Sequence, residues 1–136
     1  MSIFALLGSI FGCSAHSDDY KSVEADEFEK VIADTSVVRL DVRKPIEYNE
    51  GHISGAINID VLGSDFEQKA CATLPKDKTI ALYCRSGHRS KIAAGILAKH
   101  GYTVIELNTG YLGWTGAGKP VVNSQQTQNK CFNNQR

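Results

Sequence analysis

The apolar residues of this chain gather in short runs that polar segments separate. Three of these runs are only five or six residues long and read as short strands. Residues 79–83 are nearly continuously apolar, which is typical of a strand buried on both faces of a parallel sheet. The three runs lie at residues 37–42, 79–83 and 102–107. We therefore predict a strand at each of these positions.

Helical spacing of apolar residues appears between the predicted strands. Ser22 is predicted to cap a first helix, and residues 90–100 are predicted to form another that ends at Gly101. Residues 65–70 form a further helical stretch. The apolar positions at helical spacing are Phe28, Val31 and Ile32 in the first helix and Ile92, Ile96 and Leu97 in residues 90–100.

Strands that alternate with helices are joined by right-handed crossovers, so the strands lie parallel in one sheet. We therefore expect an α/β fold with a central parallel sheet flanked by helices on both faces.

A length of 136 residues with 42% hydrophobic content suits one domain with one core. The domain is expected to span residues 22–122, and residues 123–136 form a polar tail expected to be disordered.

Residues 1–21 form an apolar segment followed by a polar tether. The apolar run has the length of the hydrophobic region of a signal peptide and is too short to span a bilayer. Gly12-Cys13 is similar to a lipoprotein cleavage and lipidation site, although no basic region precedes it and Phe11 is bulkier than such a site usually has. We expect export, with the chain either periplasmic or attached to the membrane by a lipid at Cys13. A cytoplasmic protein with a loosely docked N-terminus is the alternative.

Charge is balanced over the whole chain but unevenly distributed along it. Lys plus Arg and Asp plus Glu number 15 each, which argues against nucleic acid as a partner. Residues 78–105 contain no acid and carry five Lys or Arg residues. This locally positive segment points to a small anionic ligand.

The positive segment contains the stretch from Cys84 to Ser90, where a predicted strand ends and a predicted helix begins. Ligands of open parallel sheets bind at this end of the strands. A thiol at a helix N-terminus beside Arg85 and Arg89 is expected to have its pKa lowered toward neutrality. The backbone N–H groups of residues 86–87 are suited to form an anion-binding nest. The structural alternative is a buried cysteine beside a helix-capping loop.

The other cysteines show no spacing typical of zinc sites or disulfide frameworks. Cys71 follows a helical stretch and is expected to be a buried or half-buried filler. Cys131 lies in the polar tail, and neither has basic neighbours comparable to those of Cys84. We expect no cofactor. We also expect no bound metal, because His88 has no second ligand near it in the sequence.

Several sequence blocks resemble the rhodanese family and occur in the order typical of it. The active-site block is the six-residue loop Cys84–Arg89. The other blocks are Leu40–Arg43, Glu47-Tyr48, Gly51–Ile53, Gly55–Asn58, Gly110–Trp114 and Gly118–Val121. One departure is Thr109, where many members of the family carry a second glycine. The resemblance covers about residues 37–122 and implies the rhodanese α/β fold and sulfur transfer from thiosulfate or a related donor.

The resemblance also implies nucleophilic catalysis in two halves. The Cys84 thiolate would attack the outer sulfur of the anionic donor, sulfite would leave, and the loop N–H groups would stabilise the resulting persulfide. Cyanide, a thiol or another nucleophile would then remove the sulfur. Arg85 and Arg89 are candidates either to hold the oxygens of the donor or to brace the loop. The remaining candidates for substrate binding are Ser86, Gly87, His88 and Ser90.

Asp41, Arg43 and His52 are predicted to support the site. Asp41 and Arg43 end a predicted strand, and an ion pair between them would support the active loop or pin the turn that follows. His52 is predicted to anchor residues 51–58 by hydrogen bonds, because a thiol that is already ionised needs little general base catalysis. His88 is expected to shape the rim of the loop or to add positive charge to it.

Three other functions compete with this interpretation. A cysteine-dependent phosphatase or arsenate reductase also surrounds an anion with Cys and Arg, but only four residues separate Cys84 from Arg89, one fewer than such a loop requires. A persulfide carrier that passes sulfur to one protein partner would need the same residues as a thiosulfate enzyme. A non-enzymatic interaction module is disfavoured, since such modules usually lack the cysteine.

Overall fold

The computed structural model describes residues 19–125, which form a five-stranded parallel sheet covered by helices. The strands are β1 (Lys21–Val23), β2 (Val38–Asp41), β3 (Ile57–Asn58), β4 (Ile80–Tyr83) and β5 (Val104–Leu107). They are ordered β1-β5-β4-β2-β3, and each neighbouring pair is parallel. The α/β fold with a central parallel sheet is therefore confirmed.

The helices of the described region connect these strands or follow the last of them. They are α1 (Ala25–Ile32), α2 (Pro45–Glu50), α3 (Phe66–Thr73), α4 (His88–Lys99) and α5 (Gly110–Gly116). Each connection between neighbouring parallel strands crosses over a face of the sheet, as this topology requires.

Strand β4 lies at the centre of the sheet, and all four of its residues are buried. Ile80 and Leu82 pack on one face, in a cluster that includes buried residues of α3 and α4. Ala81 and Tyr83 pack on the other face, in a cluster that includes Phe28 of α1 and Trp114 of α5. The helices thus cover both faces, which explains why this strand lacks the alternation of a half-exposed one.

The predicted cap at Ser22 is wrong, because Ser22 lies within β1. This strand pairs with β5, and in that pairing Ser22 lies opposite Glu106. The Ser22 hydroxyl donates a hydrogen bond to Glu106 Oε1 at 2.5 Å and is therefore directed away from the helix. Glu24 occupies the position before α1. The apolar face predicted for α1 is confirmed, since Phe28 and Ile32 are buried in the core.

The face predicted for α4 is only partly correct. Leu97 is fully buried, but the side chain of Ile92 is 47% exposed. The buried residues of this helix are Ser90, Ala93, Ala94, Leu97 and Ala98. Most of them are small, and small side chains let a helix lie close to a sheet.

The predicted burial of Cys71 is also wrong. Cys71 is exposed, because α3 directs Phe66 and Ala70 into the core instead. The predicted lipidation site at Cys13, the apolar run before it and Cys131 lie outside the described residues. Within residues 19–125, no helix combines the length and the apolar content that crossing a bilayer requires.

The double-sided burial of β4 predicts a large effect of truncating one of its side chains. Leu82 is fully buried, and we expect Leu82→Ala to lower the free energy of unfolding by about 2–5 kcal/mol, since it removes apolar contacts and leaves a cavity. Leu112→Ala is the matched control, because that leucine is 48% exposed and its loss should cost about 0.5 kcal/mol or less. Denaturant unfolding measures both. Equal losses would contradict this description of the core.

Candidate active site

Cys84 follows directly after β4, at the carboxyl end of the central strand. Its side chain is 1% exposed and belongs to the core cluster on the α4 side of the sheet. The loop that begins here leads into α4, and the Gly87 N–H donates a hydrogen bond to Cys84 Sγ at 3.1 Å. A backbone donor and the N-terminus of a 12-residue helix thus lie beside the sulfur.

Two opposing effects set the pKa of the Cys84 thiol. Burial raises it, because the thiolate loses its contact with water. Hydrogen bonds from the Ser90 hydroxyl and from the backbone N–H groups of Ser90, Gly87 and Ser86 favour the thiolate, and their combined effect lowers the pKa below its ordinary value. The sulfur is therefore prepared to act as a nucleophile.

Gly87 permits the turn that brings its N–H group to the sulfur. Its φ is +104°, in the left-handed region that side chains rarely adopt. A Cβ atom at this position would collide with the carbonyl oxygen of Asn108. Glycine is therefore required here both by the backbone conformation and by the space available.

Helix α5 holds the active loop from its other side. The Tyr111 N–H donates to the Cys84 carbonyl oxygen at 2.8 Å, and the Leu112 N–H donates to the Arg85 carbonyl oxygen at 3.0 Å. Gly110, with a φ of +66°, lies so close that an added Cβ would be 2.8 Å from the Cys84 carbonyl oxygen. Thr109, the departure from the family pattern, precedes α5 and leaves this close approach intact.

The two arginines of the loop occupy different environments. Arg89 forms a two-pronged ion pair with Glu47 of α2, at 2.8 and 2.9 Å. This interaction raises the pKa of Arg89 and lowers that of Glu47. Arg85 is exposed and lines a cavity of about 390 Å³, whose other lining residues include Arg43 and Tyr111. Arg89 is thus tied to a neighbouring helix, while Arg85 is open to a ligand.

Asp41 and Arg43 form a buried ion pair with a shortest distance of 2.7 Å. Arg43 also donates to the Gly51 carbonyl oxygen at 2.6 Å, and its guanidinium lies 4.3 Å from the centre of the Tyr111 ring. The Tyr111 N–H in turn donates to the Cys84 carbonyl oxygen. The Asp41–Arg43 pair therefore connects the turn after β2 to the residue that holds the active loop. The contacts of this pair thus reach both the turn after β2 and Tyr111 beside the active loop.

His52 is buried beside α2 and does not contact the sulfur loop through any of its described hydrogen bonds. Its Nδ1 lies 2.8 Å from the Tyr48 carbonyl oxygen, and its ring stacks on the Tyr48 ring at 3.8 Å. Its backbone bonds in both directions with Val122. His88, in contrast, is exposed at the first position of α4, at the rim of the loop.

Two residues that the sequence analysis did not select are brought to the site. One is Tyr111, whose contacts with the loop and with Arg43 were not visible in the sequence. The other is Glu106, which is fully buried and accepts a hydrogen bond from the Ser90 hydroxyl at 2.5 Å. A signal for Glu106 did exist, because it is the only acid after Asp77 and interrupts an apolar strand.

Comparison with known proteins agrees with this geometry. Residues 24–117 match the rhodanese-like domain family. A sulfurtransferase from Allochromatium vinosum is 31% identical over 74% of this chain and 92% of its own length. The thiosulfate sulfurtransferase PspE of Escherichia coli is 42% identical over 49% of this chain and 64% of its own length. The crystal structure of a rhodanese-related protein from Thermoplasma volcanium superposes with a TM-score of 0.65, at 32% identity over 76% of this chain and 98% of that protein.

The chain belongs to the rhodanese-like domain family, and the resemblance found in its sequence blocks is confirmed. Its relatives support sulfur transfer as the general chemistry and a rhodanese-type enzyme as the class of protein.

The position of Gly87 predicts how a side chain there would affect the thiol. Gly87→Ala should displace the N–H group from Cys84 Sγ, and loss of a hydrogen bond to a charged group costs about 1.5–3 kcal/mol. We therefore expect the pKa of Cys84 to rise by about one to two units, as measured by the rate of iodoacetamide alkylation against pH. Gly95→Ala is the matched control, because nothing lies within 4 Å of its added Cβ. An unchanged pKa in Gly87→Ala would show that this N–H does not stabilise the thiolate.

Proposed function

We propose that this protein moves a sulfane sulfur from thiosulfate, or a similar anionic donor, to cyanide or a thiol through a persulfide on Cys84. The observation that carries the proposal is a buried thiol whose pKa is lowered by a ring of hydrogen-bond donors at the carboxyl end of β4. Such an arrangement favours a nucleophile that must hold negative charge in both its free and its sulfur-loaded forms.

In the first half of the reaction, the Cys84 thiolate attacks the outer sulfur of thiosulfate. A bond forms between Cys84 Sγ and that sulfur while the sulfur–sulfur bond of the donor breaks, and its electron pair leaves with sulfite. The terminal sulfur of the persulfide then carries the negative charge. The loop N–H groups, including that of Gly87, are suited to stabilise this charge without rearrangement.

In the second half, cyanide or a thiolate attacks the terminal sulfur of the persulfide. The bond between the two sulfurs breaks, the acceptor keeps the sulfur, and Cys84 leaves as a thiolate. The same donors that lower the pKa of Cys84 make it a good leaving group, since both properties depend on stabilising the thiolate. One set of hydrogen bonds thus serves both halves.

We assign different roles to the two arginines on the basis of their contacts. Arg85 is exposed beside a cavity and is the better candidate to hold the sulfonate oxygens of the donor, because its planar guanidinium offers several donors. Arg89 is held by Glu47 and braces the loop against α2. Exposed Ser86 and His88 lie at the rim, where they can contact the donor.

Thiosulfate as the donor is supported by the Escherichia coli relative PspE, which is named a thiosulfate sulfurtransferase. A persulfide carrier that serves one protein partner would use the same loop. The acceptor of the sulfur distinguishes such a carrier from a thiosulfate enzyme.

A phosphatase is disfavoured, since the loop directs its Gly87 N–H at the sulfur itself and has one residue fewer than a phosphate loop requires.

Sulfur loading of Cys84 can be read from the intact mass of the protein. Thiosulfate treatment should add one sulfur atom, and cyanide or a thiol should remove it. Cys84→Ser should gain none, because its hydroxyl does not ionise at neutral pH. Cys71→Ser is the matched control and should still gain one, since Cys71 is exposed and lies outside the loop. If Cys84→Ser still gained a sulfur atom, Cys84 would not be the nucleophile.

The separate roles of the arginines predict different kinetic effects. Arg85→Ala should raise the KM for thiosulfate by about tenfold or more, as expected for losing a charge-assisted hydrogen bond, and leave the melting temperature unchanged. Arg89→Ala should lower the melting temperature, because it leaves Glu47 unpaired, and Glu47→Gln should reproduce part of that loss. Steady-state kinetics and thermal unfolding measure these effects. An unchanged KM in Arg85→Ala would remove Arg85 from donor binding.

A further inference from the structure

A chain of hydrogen bonds leads from the reactive sulfur to a buried carboxylate. The Ser90 hydroxyl lies 3.4 Å from Cys84 Sγ and donates to Glu106 Oε2 at 2.5 Å. The other oxygen of Glu106 accepts from the Ser22 hydroxyl at 2.5 Å. Lys91 Nζ lies 3.2 Å from Glu106 Oε2. Both Ser90 and Glu106 are fully buried, so bulk water does not reach the middle of this chain.

The Ser90 hydroxyl has a single proton and two neighbours that compete for it. While Cys84 is a thiol, it can donate to Ser90 Oγ, and Ser90 can donate to the carboxylate of Glu106. Once Cys84 is a thiolate, Ser90 stabilises it only by donating to the sulfur, and that hydrogen bond is one of those that lower the pKa of Cys84. Glu106 Oε2 would then keep only the donation from Lys91 Nζ at 3.2 Å, unless the carboxyl itself carried a proton and donated it to Ser90.

We propose that Glu106 accepts the thiol proton of Cys84 through Ser90, an inference that rests on the proposed role of Cys84 as the sulfur nucleophile. The thiol proton passes to Ser90 Oγ while the hydroxyl proton of Ser90 passes to Glu106 Oε2. The products are a thiolate, an intact serine and a neutral carboxylic acid, so no proton is gained or lost. Glu106 does not touch the sulfur donor or the sulfur acceptor, so it is a positioning residue that acts through Ser90.

The charge of the buried site stays constant during this transfer. One negative charge moves from the carboxylate to the sulfur, which avoids the cost of burying a second anion. Lys91 of α4 is the cation beside the carboxylate, since its Nζ is 3.2 Å from Glu106 Oε2 and also 3.2 Å from the Gly87 carbonyl oxygen. Ser22 is the polar neighbour from β1, and Arg89 interacts electrostatically with Cys84 from the loop.

A proton shared between two acidic groups gives a characteristic titration. The exchange between thiol with carboxylate and thiolate with carboxylic acid involves no solvent proton, so the thiolate fraction is constant across the pH range between the two macroscopic steps. The rate of iodoacetamide alkylation of the full chain should therefore rise with pH in two steps separated by a plateau. Alkylation requires no sulfur donor, so this measurement and the sulfur-loading experiment can fail independently.

Removing the carboxylate should convert the two steps into one. Glu106→Gln keeps the size of the side chain but cannot take up the proton, so its profile should show a single step with a midpoint between the two wild-type values. Ser90→Ala removes the connecting hydroxyl and should give a single step shifted to higher pH by about one unit or more. Ser22→Ala is the matched control: it removes the hydrogen bond to the other carboxylate oxygen and should keep both steps.

Infrared spectroscopy provides a second measurement that does not depend on the folding of Glu106→Gln. The C=O stretch of a protonated carboxylic acid should be present in the wild type at neutral pH and absent in Cys84→Ala, which has no thiol proton to give. A single alkylation step in the wild type, two steps in a folded Glu106→Gln, or identical carboxylic acid bands in the wild type and Cys84→Ala would each overturn the proposal.

Discussion

The conflict between burying a sulfur and ionising it governs the architecture around Cys84. The side chain is 1% exposed, and burial alone raises the pKa of its thiol. Hydrogen bonds from Ser90, Gly87 and Ser86 reverse this effect, and they exist only because the loop turns its N–H groups toward the strand end. The left-handed conformation of Gly87 and its lack of a side chain are therefore conditions for the chemistry as well as for the turn.

The rest of the domain holds that loop in place. Helix α5 binds the carbonyl oxygens of Cys84 and Arg85, and Gly110 allows the approach. On the other side, the ion pair between Arg89 and Glu47 ties the loop to α2. The buried Asp41–Arg43 pair joins these supports, because its guanidinium packs on Tyr111 and binds the Gly51 carbonyl. A small domain can thus keep many donors fixed, which is the requirement for stabilising a charge that moves during catalysis.

The sequence was most informative where neighbouring residues in the chain form one structural feature. The continuous apolar run of β4 predicted a strand buried on both faces, and the strand-end Cys84 with its following glycine and arginines indicated the loop. It was least informative for contacts that only tertiary structure creates. Ser22 has the chemistry of a helix cap, but pairing of β1 with β5 places it opposite Glu106. Ile92 has helical spacing, but close packing of α4 favours alanines over it.

Glu106 shows the same limit in the functional site. An acid within an apolar strand was visible in the sequence, but its partners Ser22, Ser90 and Lys91 come from two other elements, and no local pattern connects them. Cys71 shows the converse, since a cysteine after a helical stretch resembles a filler until the rotation of α3 about its axis is known.

In the proposed mechanism, the buried, hydrogen-bonded Cys84 receives the transferred sulfur. Peptide mapping of the wild-type protein after thiosulfate treatment, under conditions that preserve persulfides, locates that sulfur. We expect it on the peptide that contains Cys84. An added sulfur found on the peptides of Cys13, Cys71 or Cys131, with the Cys84 peptide unmodified, would contradict this mechanism.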